Sequence, residues 1–393
     1  MSLRILIVGA GIGGLAAAVA LRQAGIEVVV CERAAVLGEA GAGVTMTPPG
    51  LRAMDALGLG QETIDLSDNV VRTAFYQWDT GDLIKVGELP PPKSVLDETR
   101  AMHRSDLHLL LLQAARAAGA DIRTGHVLEG FDQDEAGVTT RFANGNIVRA
   151  DAMIGCDGLR STVRGLLLGH APPHRTGIVA FRALLSKEQV GDLMGPYGSV
   201  VHVGPNASFV RYTVRHGEVL NCVGLAQSQT SVDEGWSTPA TRAEFKAHFP
   251  DWNDYVHALI DRIPEDQLFK WPLFDREPIA EWTRGRVTLL GDSAHPMVPF
   301  LGIGATMALE DAVVLGARLA ETGSVEEGFA QYVAIRQPRA AEVTEASRVQ
   351  GRRIMGADSP NMFRKEMKRD PVFDYDVRRE ADPKVGAPTA ELQ

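Results

Sequence analysis

Apolar residues follow two rhythms at the start of this chain. Ile5-Leu6-Ile7-Val8 is an unbroken, largely β-branched run, as a strand buried on both faces requires. Leu15 to Leu21 is a helix-forming run closed by Gly25, and Glu27 to Cys31 is a second apolar strand. Gly9, Gly11, Gly13 and Gly14 are bunched between the first strand and the helix. The stretch Ile5 to Leu21, after Arg4 and with Ala18-Val19-Ala20, also imitates a secretory leader. It is shorter than the ~20 apolar residues of a membrane span, and its glycines fall where one pattern gives way to the other. The reading is strand, tight turn, helix, with no integral membrane segment.

Further along, Val44 to Thr47 reads as a strand broken by Pro48-Pro49, and Ser105 as the N-cap of a helix from Asp106 to Ala118 that Gly119 ends. Asn144-Gly145-Asn146 signals a hairpin. Gly177–Leu185, Ser199–Val203, Phe209–Arg215 and Leu220–Ala226 alternate as an antiparallel sheet does. Thr241 and Glu244 form a capping-box pattern. A buried strand returns at Val287–Leu290, followed by helices at Ala305–Ala320 and Gln337–Arg353, and the chain turns polar past Met355. No internal repeat is evident. This predicts an α/β protein: a discontinuous Rossmann-like nucleotide domain in 1–175 and 285–355, an inserted, mainly β substrate domain in 176–284, C-terminal helices, and a polar tail in 356–393.

Composition narrows the function. The 393 residues carry 40 Lys+Arg against 50 Asp+Glu, a net charge of −10, which argues against a nucleic-acid partner. Three scattered cysteines, Cys31, Cys156 and Cys222, make no disulfide framework and fit a reducing, cytoplasmic setting. There is no Cys-x-x-Cys or His-Glu-x-x-His run, and His170 and His174, split by Ala171-Pro172-Pro173, make a poor ligand pair, so no metal site is expected. The expected assembly is a monomer or homodimer.

Gly9-Ala10-Gly11-Ile12-Gly13-Gly14 fits G-x-G-x-x-G directly after a strand and at the opening of a helix. Gly9 permits the turn, Gly11 lets a pyrophosphate approach the backbone, and Gly14 lets helix and strand close up. Helix-start amides face the phosphates, and Glu32, 18 residues past Gly14, is placed for a ribose diol. The motif marks an adenosine-diphosphate site for either NAD or FAD. The discontinuous domain favours FAD.

Two more motifs carry a resemblance. Asp151 to Arg164 is a strand ending in Asp157-Gly158 with Ser161 and Arg164 beyond, and Arg286 to Pro296 is a strand ending in Gly291-Asp292 with Ala294-His295-Pro296 beyond. With the first fingerprint, they resemble the single-component FAD-dependent aromatic-ring hydroxylases, in the salicylate hydroxylase and 6-hydroxynicotinate 3-monooxygenase branches, from Arg4 to Arg353. The resemblance implies non-covalent FAD, with Asp292 on its ribityl chain, Asp157 and Gly158 near the pyrophosphate and the nicotinamide route, and Arg104 against the flavin. Arg33 and Val127 join the cofactor-binding set. Gly302, Gly304 and Ala305 offer backbone amides to the flavin pyrimidine edge, where a helix start would stabilise negative charge. Many relatives carry Gln where this chain has Ile303, counted here as a substrate-side position. Plainer readings stand beside these roles: an Asx turn for Asp157 or Asp292, a surface ion pair for Arg104, a glycine turn before the helix.

The resemblance also implies the chemistry: NADH or NADPH reduces FAD, O₂ adds to give a flavin hydroperoxide, and a ring carbon of a small aromatic or N-heteroaromatic acid or phenol is hydroxylated. Tyr212 and Ser208, four apart on one strand and so on one face, are the candidates to meet the substrate, Ser208 standing where relatives often have His. Pro299 and Tyr212 are the candidate catalytic positions, although a satisfied sheet tyrosine is the plainer reading of Tyr212. Arg182 either pairs with a substrate carboxylate or is an edge-of-sheet arginine on a solvated face. His295 reads as structural. The alternatives are a flavin oxidase or reductase on the same scaffold, or a non-catalytic flavin-binding regulator.

Overall fold

In the computed structural model, residues 3–38, 42–70, 72–87, 92–228, 238–364 and 370–381 are described. Strand Arg4–Val8 is the hub, pairing in parallel with Glu27–Cys31 on one side and Ala152–Gly155 on the other. Val287–Leu289 extends the sheet in parallel beyond Ala152–Gly155, and Asp121–Arg123 beyond Glu27–Cys31. Thr283–Arg284 is the antiparallel edge. The four central strands are apolar and buried over most of their length because both faces of a parallel sheet are covered, while the outer strands Asp121–Arg123 and Thr283–Arg284 are polar. Helix Ile12–Gln23 crosses the 19-residue helix Gly304–Thr322, and the contact is close: a Cβ on Gly316 would lie 2.8 Å from that of Ala20. The Rossmann-like, discontinuous arrangement is as expected from sequence.

The second sheet has eight strands. Their order is Thr238–Pro239, Phe269–Asp275, His174–Ser186, Val219–Gln227, Ala207–Val214, Ser199–Gly204, Thr73–Gln77, Leu83–Gly87. Two corrections follow. Residues 73–87, assigned by sequence to the nucleotide domain, form two strands of this sheet, and Thr73–Gln77 pairs in parallel with Ser199–Gly204, so the sheet is mixed. Their partner lies more than a hundred residues along the chain, where no local pattern announces it. One face packs Phe181 and Phe209 against Phe245 of the helix Arg242–Ala247 and Phe249 just beyond it, with the helix Asp254–Asp261 completing this core. The other turns toward Gly43 and the long C-terminal helix.

The helix expected at Asp106 starts at Arg104, and its N-cap is His103, whose Nδ1 accepts from the Ser105 amide at 3.2 Å, rather than Ser105. The helix expected from Gln337 starts at Val325 and carries Pro338 in its interior. Ser324 caps it by accepting from the Glu327 amide, so it has completed three turns before the proline. The polar tail expected past 355 is largely part of the fold. Ser359–Arg364 is helical, and the segment 370–381 is pinned by Arg52 on the carbonyl of Tyr375, Arg339 on that of Val372 and Arg318 on that of Glu380. Residues 382–393 lie outside the described set. No helix among the described residues is long and apolar enough to cross a membrane.

A buried charge cluster joins the two long C-terminal helices. Arg336 reaches Glu310 at 2.7 Å and Asp311 at 2.8 Å, all three fully buried, and Asp311 also meets His295 at 2.5 Å. Burial alone would push the Asp311 carboxyl up, but the charges of His295 and Arg336 outweigh it and hold it down to about 2. A depressed carboxylate stabilises the fold above its unfolded value and loses that contribution as pH falls through the folded one. This share of stability is therefore complete above about pH 4 and lost near pH 2. Replacing Arg336 by Met leaves Asp311 to His295 and Glu310 to the more distant Arg339 and is expected to cost about 3 kcal/mol, the low end for a broken buried pair, measured as the drop in unfolding free energy at pH 7, with a smaller loss at pH 3.

Candidate active site

Parallel register decides which residues meet. Val8 pairs with Cys31 and with Gly155, and Gly155 with Leu289, so the next residues of all four strands emerge at one edge: Gly9, Glu32, Cys156-Asp157 and Leu290-Gly291-Asp292. In open α/β sheets that carboxyl edge is the ligand-binding edge.

The glycines divide the work there. Gly9 has φ +108° and no room for a Cβ, which would lie 2.4 Å from the Cys156 carbonyl; a Cβ on Gly14 would lie 2.0 Å from the Gly9 carbonyl. Gly13 packs against Leu290 and Ala308, so its missing side chain serves the helix crossing. Gly11 alone of the four has nothing within 4 Å of a would-be Cβ. It is also the N-cap of helix Ile12–Gln23 and makes no side-chain cap, leaving first-turn amides that suit a phosphate. The Glu32 carboxylate accepts from the amides of Ala10 (2.8 Å) and Ala34 (2.9 Å), which seats it beside this loop with lone pairs to spare for a diol. Arg33 and Val127 are exposed next to it. Open space at Gly11, unclaimed helix amides and a fixed carboxylate are what the adenosine diphosphate of FAD requires.

Asp157 is placed differently from the expectation. Its carboxylate accepts from Ser161 Oγ and from the amides of Thr162 (2.7 Å) and Val163 (3.0 Å), so the side chain caps the next helix, the plainer reading, while Gly158 turns with φ +79°. Asp292 is exposed just past Gly291, whose φ is +65°, at the solvent side of the same edge. The Gly291 amide donates to Asp311 at 3.0 Å, so the turn rests on the buried charge cluster. His295, on that cluster, is structural as expected. Arg104, half-buried, donates its backbone amide to the Ala42 carbonyl at 2.8 Å, beside the strand Gly43–Met46.

That strand is the joint between flavin edge and substrate sheet. On one side, Tyr212 ring atoms lie 2.5 Å from a would-be Cβ on Gly43, and the Gly43 amide donates to Asn221 Oδ1 at 2.9 Å. On the other, Thr45 lies 3.4 Å from a would-be Cβ on Gly302, which sits at φ +65° after the turn Pro299–Leu301. Gly304 and Ala305 open the 19-residue helix with no side-chain cap, and nothing lies within 4 Å of a Cβ on Gly304. Pro299 is exposed at the rim.

Ile303 and Ser208 are corrections. The Ile303 side chain is 1% exposed and joins the main core, because an apolar residue at the helix entry turns inward where a polar one would not. Ser208 shares a face with Tyr212, as strand parity requires, but is fully buried between Val203 and Leu225, which pack against Ile354 and Met355 of the long helix.

Arg182 corrects the solvated-edge expectation. Its strand is interior to the sheet, paired on both sides. Its guanidinium carbon lies 4.2 Å from the centre of the Trp271 ring, Nε has no hydrogen-bond partner, and no ion pair holds it among the described residues. Burial pulls its pKa down to about 10, with Tyr212 opposing and Arg104 adding to the shift, so it stays charged at neutral pH. Burial likewise pushes the Tyr212 phenol up to about 12, against the charge of Arg182 and a hydrogen bond with Thr45. Tyr212 thus keeps its proton at neutral pH and can donate a hydrogen bond. Asn221, Trp271 and Thr45 join the site unannounced by any motif. Asn221 and Trp271 enter it through pairings across the sheet (Asn221 opposite Tyr212, Trp271 opposite Ala180), and sequence offers only strand parity as a signal for them.

Comparison with known proteins agrees with this geometry. A family model described as an FAD binding domain matches residues 2–347. The 3-hydroxybenzoate 6-hydroxylase of Polaromonas naphthalenivorans is 36% identical over 357 residues, covering 89% of this chain and 88% of the relative. The 6-hydroxynicotinate 3-monooxygenase of Bordetella bronchiseptica is 31% identical over 385 residues, 96% of each. The solved structure of Klebsiella pneumoniae HpxO complexed with FAD and uric acid is 25% identical and superposes with a TM-score of 0.84 over 98% of this chain and 97% of that one. The cradle at Gly11, the shared strand edge and these matches lead to one conclusion: the chain belongs to the FAD binding domain family, as an FAD-dependent monooxygenase of the aromatic-hydroxylase type.

Proposed function

We propose that this enzyme hydroxylates a small aromatic or N-heteroaromatic acid, using NADH or NADPH and O₂, and that Arg182 holds the substrate carboxylate. The observation that carries the proposal is a charged, half-buried arginine on an interior strand with no carboxylate partner among the described residues, beside Tyr212 and Arg104. A buried charge left unpaired is costly, and an anionic substrate supplies the partner. The relatives named for 3-hydroxybenzoate and 6-hydroxynicotinate support the reading, since both names denote aromatic acids.

FAD supplies the oxygen activation that no amino-acid side chain provides. The chain's own residues do the rest. The Gly11 loop and Glu32 would hold the adenosine diphosphate, Asp292 the ribityl chain, and the amides of Gly304 and Ala305 the flavin ring. Arg182 fixes one end of the substrate, Tyr212 donates a hydrogen bond to it, and Val210 and Val223, neighbours of Arg182 in the sheet register, make an apolar floor. Such a wall orients the ring and keeps water from the reacting centre.

The reductant has a separate docking place in this reading. A cavity of about 350 Å³ beyond Asp157-Gly158 is lined by Arg160, Arg164, Arg175, Arg276 and His170, with no carboxylate in its lining. Four arginines around one cavity suit the phosphates of a visiting dinucleotide; burial, with the charge of Arg276, lowers the Arg164 pKa to about 10 against the pull of Asp157.

The carrying experiment is a panel of hydroxybenzoates, hydroxynicotinates and uncharged phenols, scored for NAD(P)H oxidation and ¹⁸O₂ incorporation into product. Acids are expected to turn over with little H₂O₂; peroxide at every member of the panel would mark an oxidase. Arg182→Leu is expected to lose about 2–5 kcal/mol of substrate binding, read as a KM rise of two to three orders of magnitude for acids and little change for phenols. Tyr212→Phe should slow single-turnover hydroxylation tenfold to a hundredfold, about 1.5–3 kcal/mol, with FAD content and Tm retained; wild-type turnover would remove Tyr212 from the site. Arg276→Ala should raise KM for NAD(P)H about tenfold, in line with one lost charge-assisted bond, and leave KM for the acid unchanged.

A further inference from the structure

Arg182 and Trp271 sit on paired strands, with Phe269 opposite Arg182 and Trp271 opposite Ala180 two residues away. The guanidinium carbon is 4.2 Å from the Trp271 ring centre, well within the range where the negative ring face attracts a cation. Arg211, on the opposite face of the same sheet, is the useful contrast. It too lies over a ring, Tyr255 at 5.6 Å, but it also donates to the Tyr197 carbonyl at 3.1 Å. There the protein itself takes up a donor. Nε has no partner in either arginine, but at Arg182 the ring is the partner provided and, among the described residues, no backbone carbonyl takes up a terminal N–H as Tyr197 does at Arg211.

We propose that Trp271 is a positioning residue for substrate charge: its ring face stands in for a counter-ion, holding the Arg182 guanidinium in place while leaving its donors to the substrate anion. The inference rests on the carboxylate reading above. A carboxylate in the position of Trp271 would compete with the substrate for the same N–H groups. An aliphatic residue there would leave a long side chain with about 2 kcal/mol of rotamer freedom to be lost on binding. An indole ring avoids both, because it stabilises the cation through its face and accepts no N–H bond in the guanidinium plane. Charge selection is thus set by two residues, one that meets the anion and one that meets only the arginine.

The test uses the FAD-loaded enzyme, with benzoate and benzamide as probes, titrated by the change in flavin absorbance. The pair differs in charge at nearly constant shape, so the ratio of their Kd values reads charge selection and cancels loss of a wall. Wild type is expected to prefer benzoate; preference for benzamide, or binding of neither up to its solubility limit, would refute the carboxylate reading. Arg182→Met should abolish the preference, and its retention there would refute the same reading. Trp271→Leu should raise the benzoate Kd at least tenfold and leave that of benzamide within about twofold, and Trp271→Phe should restore most of the preference. Trp271→Met, longer and more adaptable than leucine and likewise without a ring, is read identically if the leucine variant fails to retain FAD. If Arg182→Met loses the preference while the leucine and methionine variants keep the wild-type ratio, the role given to Trp271 is overturned and the carboxylate reading stands. In the Arg182→Met background, Trp271→Leu should change the ratio by less than twofold; a full tenfold change there would also overturn the proposal.

Discussion

The approach of helix Ile12–Gln23 to its own strand is the constraint on which the rest depends. A Cβ on Gly14 would fall 2.0 Å from the Gly9 carbonyl, a distance no side chain can occupy. Because that contact is bare, the helix starts directly at the sheet's carboxyl edge, and its first amides point where the ends of four parallel strands converge. The same helix then packs against Gly304–Thr322 through Ala20 and Gly316. The start of that second helix is the other amide-bearing end in the site. Two helix N-termini are therefore fixed relative to one another by packing on glycine and alanine, and a cofactor long enough to span them is selected by the distance between them.

The substrate layer is held to this frame at few points, and they are chemical as well as mechanical. Gly43 carries the Tyr212 ring on its α-carbon and gives its amide to Asn221. Arg215 clamps Asp106 of the Arg104 helix at 2.7 Å. Since Tyr212 is both the contact with Gly43 and a neighbour of Arg182, the part of the sheet proposed to bind substrate is the part that touches the strand Gly43–Met46. Behind the flavin turn, Asp311 takes the Gly291 amide and is fixed in turn by Arg336 and His295. The long C-terminal helix thus supports the cofactor site without reaching it.

What the sequence reveals follows how locally each feature is written. The strand, glycine turn, helix and Glu32 fall within one short stretch, and their roles are legible from the residues alone; so are the strands ending at Asp157 and at Asp292. Strand parity puts Tyr212 and Ser208 on one face correctly. It says nothing of Ile354 and Met355 closing over Ser208, because that depends on a helix more than a hundred residues away. The strands within 73–87 escape a local reading for the same reason. Arg182 reads as a solvated edge residue because its neighbours in the sheet, Val223 and Phe269, are remote in sequence. Ile303 belongs to the site only by analogy with a polar residue; an apolar side chain at that position turns into the core.

These departures have a common physical direction. Sequence reasoning assigns a charged residue to solvent because burying a lone charge is unfavourable, and for a protein selected only for stability that assignment would hold. Arg336 obeys the rule, fully buried with two carboxylates in contact. Arg182 departs from it, with an aromatic face in place of a carboxylate. The two arginines differ as a charge that the fold uses to hold itself together differs from one that, in the proposed reading, is left for a ligand. Violations of local rules concentrate where a site gives up stability for binding. A half-buried cation on an interior strand, without an anionic partner among the described residues, is therefore what the proposed substrate carboxylate rests on.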